Sequence, residues 1–125
     1  MTLTATVELS CSLTNSQAEE ILDSAAIGIN YWASEADIVE VSEDDSTATR
    51  LEVTPWGEAK AYSVNKAALE NAICHAVSRP NLPGLSGISR ADLISCLISK
   101  APEEIEPDTA NELIQIACFN EVIYG

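Results

Sequence analysis

A chain of 125 residues with twenty acids against six Lys and Arg carries a formal charge of −14, yet 46% of it is hydrophobic and its mean hydropathy is slightly positive. Disordered acidic chains combine charge with low hydrophobicity, so this composition excludes disorder and predicts a single folded domain over 1–125, burying roughly two thirds of its unfolded surface. Its longest apolar stretches fall far short of the roughly 20 residues a membrane helix needs, and charge of this sign repels nucleic acid and anionic membrane alike.

Residues 2–9 alternate and are rich in Thr and Val, which predicts a strand. No basic region followed by an apolar run opens the chain, so no secretion signal is expected and the expected compartment is a reducing cytosol. A helix is predicted over 16–27. Ser16 and Glu19 have capping-box spacing, Leu13 is placed to staple onto the first turn, that turn is acidic, and Gly28 ends it. Its apolar stripe is Ile21, Leu22, Ala25 and Ala26. The aromatic segment Ile29-Asn30-Tyr31-Trp32-Ala33 follows. A chain with six aromatics needs them inside, which favours core packing for Trp32 over a contact role.

Next comes a predicted three-stranded meander. Its strands are 37–42, 47–54 and 59–64, joined by the turns Glu43-Asp44-Asp45-Ser46 and Pro55-Trp56-Gly57-Glu58. Asn65 caps a helix over 66–78 with the stripe Leu69, Ala72, Ile73, Ala76 and Val77. Residues 79–88 hold two Pro and two Gly and read as irregular. Ser89 with Asp92 opens a helix over 89–99, and 102–106 is a linker. Pro107 suits the first turn of a last helix over 108–119, which packs Leu113, Ile114 and Ala117. Val122–Gly125 reads as a short apolar strand. Strands followed by helices predict an α+β fold: a small antiparallel sheet, made of the N-terminal strand and the meander, packed against four helices.

The residue types of catalysis are thinly represented. Cys11, Cys74, Cys96 and Cys118 form no C-x-x-C pair, which argues against zinc; they are expected as reduced, buried thiols. His75 is the only histidine and is expected on a helix surface. The 43–46 turn lacks the spacing of a calcium loop. Gly84-Leu85-Ser86-Gly87 is followed by no Gly-Lys-Ser/Thr, and Gly-x-Ser-x-Gly is absent. The expectation is therefore a protein that is not an enzyme and carries no metal or cofactor.

Two segments resemble other sequences when taken together. Gly28-Ile29-Asn30-Tyr31-Trp32-Ala33 follows an amphipathic helix, and Asp108, Ala110, Leu113, Ile114, Gln115, Ala117, Phe119 and Glu121-Val122-Ile123-Tyr124-Gly125 close the chain. These resemble small uncharacterised proteins of phages, prophages and mobile elements that carry a "GINYWA" segment and an "F-x-E-V/I-I/V-Y-G" end. Ile27 stands where those proteins have Gly, and Asn120 where they have Gly before the Glu. The resemblance implies a mobile-element origin, and with it a bacterial host cytosol, but little about mechanism, since its motifs carry no known catalytic role.

Charge is the remaining signal, and it is uneven. Residues 35–58 hold eight acids, namely Glu35, Asp37, Glu40, Glu43, Asp44, Asp45, Glu52 and Glu58, against Arg50 alone. Residues 103–121 hold six acids and no base, whereas 59–102 hold five bases against two acids. Alternate carboxylates on an extended strand recur at roughly 6.6–7 Å, a regular row of negative charge like that along a nucleic-acid strand. The leading expectation is a small acidic protein of phage type that binds and inhibits a basic nucleic-acid-binding protein of the host, as an anti-restriction or anti-CRISPR type of nucleic-acid mimic, through those eight acids. Direct contact with nucleic acid or membrane is not expected. Two other readings stand beside it: an accessory protein whose acidity serves solubility, and a binder of a nucleotide signal that uses the basic 59–102 segment.

Overall fold

Four α-helices and a three-stranded antiparallel sheet make up the described part of the computed structural model, which covers residues 11–39, 49–79 and 81–125. The strand predicted over 2–9 and the acidic turn at 43–46 lie outside the described residues. The elements are α1 (Asn15–Gly28), β1 (Ala33–Val39), β2 (Arg50–Pro55), β3 (Tyr62–Asn65), α2 (Lys66–Ser78), α3 (Gly87–Ile98) and α4 (Pro107–Phe119), with a short 3₁₀ turn at Pro102–Glu104. The α+β class is as predicted.

Helix α1 begins earlier than the Ser16–Glu19 spacing suggests. Thr14 is the N-cap: its hydroxyl accepts from the Gln17 amide at 3.1 Å, and Gln17 Oε1 accepts from the Thr14 amide at 3.0 Å. Glutamine completes the capping box as well as glutamate does, so the first turn contains no acid. Leu13, just before the cap, is buried with Ala18 in the core, as a staple requires. On α2 the predicted cap is in place, with Asn65 Oδ1 accepting from the Ala68 amide at 2.9 Å.

Strand β1 starts four residues before the predicted one. Ala33 pairs with Pro55 and Glu35 with Thr54, which leaves a bulge at Ser34. The extra residue throws the two-residue alternation out of phase and hides the strand start from pattern reading. Beyond it the register is regular: Ala36, Ile38, Leu51, Val53, Tyr62 and Val64 point to the helices, and Asp37, Val39, Arg50, Glu52 and Ser63 point away.

Helix α3 begins at Gly87, not at Ser89. Ser86 is the N-cap, its hydroxyl accepting from the Ser89 amide at 3.0 Å, and Ser89 is buried inside the first turn. The predicted C-terminal strand over 122–125 does not form. Those residues run as a tail across α4, tied down by side chains instead of a ladder.

Helix α4 is the centre of the packing. It touches α1, α2, α3 and β3, and Thr109–Asn111 and Leu113–Ile116 are all buried. Pro107 occupies its first turn as expected. Asn120 closes it in the left-handed conformation at φ 61°, the position that favours Gly and next Asn. Trp32 is 2% exposed and lies in the core, as its scarcity predicted.

Candidate functional site

Residues 28–33 and the segment that follows α4 meet in space. Tyr31 and Trp32 leave the end of α1 and face the tail that follows α4. The Trp32 indole stacks on Tyr124 with centroids 5.2 Å apart and planes 7° apart, and Phe119 meets both rings edge-on. Trp32 Nε1 donates to Asn111 Oδ1 at 2.8 Å, and Asn111 Nδ2 donates to the Tyr31 hydroxyl at 2.7 Å. That hydroxyl donates in turn to the Tyr124 carbonyl at 3.2 Å. Gln115, fully buried one turn beyond Asn111, accepts from the Ile123 and Tyr124 amides at 3.0 and 2.8 Å and donates to the Tyr124 carbonyl at 3.1 Å. A buried polar group without partners is costly. Here Asn111 and Gln115 are satisfied, and in being so they fix the tail.

The fixed tail walls a cavity of about 830 Å³ between α3, the start of α4 and the loop at Gly84. Tyr31, Ile88, Pro107, Val122 and Tyr124 supply apolar surface. Four carboxylates line it as well: Asp92, Glu106, Asp108 and Glu112. Two of them join α3 to its surroundings. Asp92 Oδ2 accepts from the Glu106 amide at 2.8 Å and the Thr109 hydroxyl at 2.7 Å. Glu112 accepts from the Ser86 amide at 3.0 Å and from the Ser86 and Ser89 hydroxyls. Glu106 and Asp108 are exposed at the start of α4. Among the described residues no Lys, Arg or His lines the cavity. Among the described residues no three His, Cys, Asp or Glu side chains converge so as to hold a metal ion.

Of the eight acids predicted to contact a partner, Glu40, Glu43, Asp44 and Asp45 lie outside the described residues. Glu35, Asp37 and Glu52 share the outward face of the sheet, and Asp37 is the direct cross-strand neighbour of Glu52. Arg50 Nη2 reaches Glu52 Oε1 at 3.0 Å along the same strand. Glu58 is exposed in the connection between β2 and β3. The four cavity acids were not among the predicted contacts. The acid run over 103–121 was visible in the sequence, but the arrival of Asp92 beside it depends on how α3 packs.

The cysteines correct one expectation. Cys96 is buried, Cys118 partly so, and Cys74 is exposed on α2. Burial pushes the Cys118 thiol up to about 12, and burial with a hydrogen bond to Cys74 pushes Cys11 to about 12. Burial beside Asp92 raises Cys96 as well. Thiols raised this far are protonated at neutral pH and poor nucleophiles. His75 is exposed on α2, as expected.

A second cavity of about 550 Å³ is bordered by Arg90. That guanidinium is committed to the end of α2, with Nε 3.1 Å from the Ala76 carbonyl and Nη2 2.7 Å from the Val77 carbonyl. No helix among the described residues is long and apolar enough to cross a membrane. Comparison with family models, curated proteins and solved structures finds no match for the chain.

Proposed function

We propose that this chain is a non-catalytic acidic protein that binds a basic nucleic-acid-binding protein and covers the surface which that protein offers to nucleic acid. The observation that carries the reading is the register of Asp37 against Glu52, with Glu35 on the same outward face. Like charges directly opposite each other destabilise a sheet, by roughly 0.2–1 kcal/mol. Solubility alone is served by acids anywhere on the surface and gives no reason to place them in register. Alternate strand positions recur at roughly 6.6–7 Å, about twice the 3.4 Å axial spacing of charges on one DNA strand. The resemblance to mobile-element proteins suggests host restriction enzymes, CRISPR effectors or transcription proteins as the partner class.

A nucleotide-binding reading finds less support. The large cavity is lined by carboxylates without a base, and Arg90 is already occupied by carbonyls. The test is capture from bacterial lysate on the immobilised chain, followed by elution with duplex DNA. The expected result is recovery of nucleic-acid-binding proteins that DNA displaces, with recovery reduced for the Glu35→Gln, Asp37→Asn variant. Empty eluates, or captured proteins indifferent to DNA, return the −14 to solubility.

A further inference from the structure

The cavity beside the tail is apolar in its walls and negative in its charge, and these two properties together narrow what it accepts. Ile88 stands at its edge 86% exposed and Tyr31 is 52% exposed. Large apolar side chains left this open beside a concavity are the usual mark of an interaction site. The volume, about 830 Å³, lies within the roughly 300–1,000 Å³ of ligand sites and exceeds what one side chain fills. The guest is therefore a short segment and not an ion. The scatter of the carboxylates agrees, because no three acids among the described residues converge on a point.

Charge complementarity then fixes the chemistry. Among the described residues, four carboxylates and no base line the space. An anionic or neutral guest would desolvate the exposed Glu106 and Asp108 without compensation, which is unfavourable. A guest with a cation on an apolar stem satisfies both wall and rim. Arginine does this better than lysine. Its stem lies along apolar surface, its planar head stacks on an aromatic face such as Tyr31, and its fork meets carboxylates in pairs. Glu106 and Asp108 are the exposed rim acids, while Asp92 and Glu112 already accept hydrogen bonds and add field from the wall. We propose that this cavity seats an arginine-bearing segment of the basic partner protein, as a contact separate from the outward face of the sheet. The inference rests on the partner-binding reading above and adds to it a site and a side chain.

The test needs no partner. The ¹⁵N-labelled chain is titrated with Nα-acetyl-arginine amide and, separately, with the citrulline analogue, which keeps the shape and lacks the charge. The arginine probe is expected to shift the amides of Ser89, Thr109, Val122 and Gly125 saturably, while citrulline leaves them in place. The Glu106→Gln, Asp108→Asn variant should weaken the arginine response by roughly two- to thirtyfold, the range of two exposed ion pairs. Absence of saturable shifts, equal shifts with citrulline, or shifts confined to residues around Asp37 and Glu52 would overturn the assignment. Self-association that Ile88→Ser abolishes would assign the cavity to a second copy of the chain and overturn it too. Partner capture that survives in a protein silent to arginine removes this inference alone. Saturable arginine binding without any captured partner removes the partner reading and leaves the cavity assigned.

Discussion

Trp32 and Tyr124 lie face to face, centroids 5.2 Å apart and planes 7° apart, and this contact joins the end of α1 to the last residues of the chain. The stack is held in place by polar groups beneath it. Asn111 receives the indole N–H and Gln115 receives the two amides next to Tyr124. The wall of the large cavity thus depends on α4, the most buried helix, through two of its polar side chains.

Trp32→Phe should lower stability by about 1–3 kcal/mol. It removes buried ring volume and the hydrogen bond to Asn111. Thermal unfolding followed by circular dichroism reads the loss as a fall of several degrees in Tm. An unchanged Tm would mean that the indole is not the anchor described.

Gln115→Leu tests the tail specifically. The substitution keeps apolar bulk but leaves the Ile123 and Tyr124 amides without their acceptor, at about 1–3 kcal/mol. Hydrogen exchange at those two amides should accelerate well beyond any change in the amides of α2. Gly84→Ala approaches the same segment from the other side. Gly84 has φ +80°, and an added Cβ would collide with the Val122 carbonyl, while Val122 N donates to the Pro83 carbonyl at 2.9 Å. It should displace the tail and quench the arginine response of the cavity. Uniform exchange in both variants would separate the tail from Gln115.

The thiols give a pH prediction with a definite sign. Burial holds Cys118 near 12, against 9.0 for an unconstrained thiol. A raised folded-state value means that the unfolded chain loses its proton first. The stability contributed is complete below pH 9 and declines as the pH rises from 9 toward 12. Urea midpoints should fall across that window, and less steeply for Cys118→Ala. Near neutral pH, Cys74 should react with an aromatic disulfide reagent well before Cys118, and four thiols should react after denaturation. A pair protected in denaturant would contradict the reduced assignment.

What the sequence revealed and what it hid divide along physical lines. Helix α2 was readable because its cap and its stripe are both local, from Asn65 to Ala76. Helix α3 was misplaced at its start because Gly87 and Ile88 resemble loop residues, although Ser86 caps them into a first turn. The onset of β1 was hidden by the bulge at Ser34. The four cavity acids were hidden for a different reason. Asp92 belongs to a basic stretch of the sequence and meets Glu106 only through the packing of α3 against α4. Asn111 and Gln115 left a faint signal, two amides one helical turn apart among apolar neighbours, which marks a buried polar network only once the tail is known to cross them.

Asp37→Asn sets stability against function at the sheet face. Asp37 stands directly across from Glu52, whose carboxylate also receives Arg50. Neutralising Asp37 removes the like-charge repulsion and leaves the Arg50–Glu52 pair intact, which Glu52→Gln would not. The variant should therefore gain roughly 0.2–1 kcal/mol in urea denaturation. The gain should shrink as salt rises, because the repulsion lies at the surface and is screened. If the face also contacts a basic partner, the same variant should bind that partner less tightly and with a shallower salt dependence. A stabilised variant with weakened binding is the signature of acids retained for recognition. A stabilised variant that binds its partner unchanged across the salt series moves the contact away from the sheet. A destabilised variant would show that the Asp37 carboxylate is needed for the fold, and the register would lose its value as evidence for a binding surface.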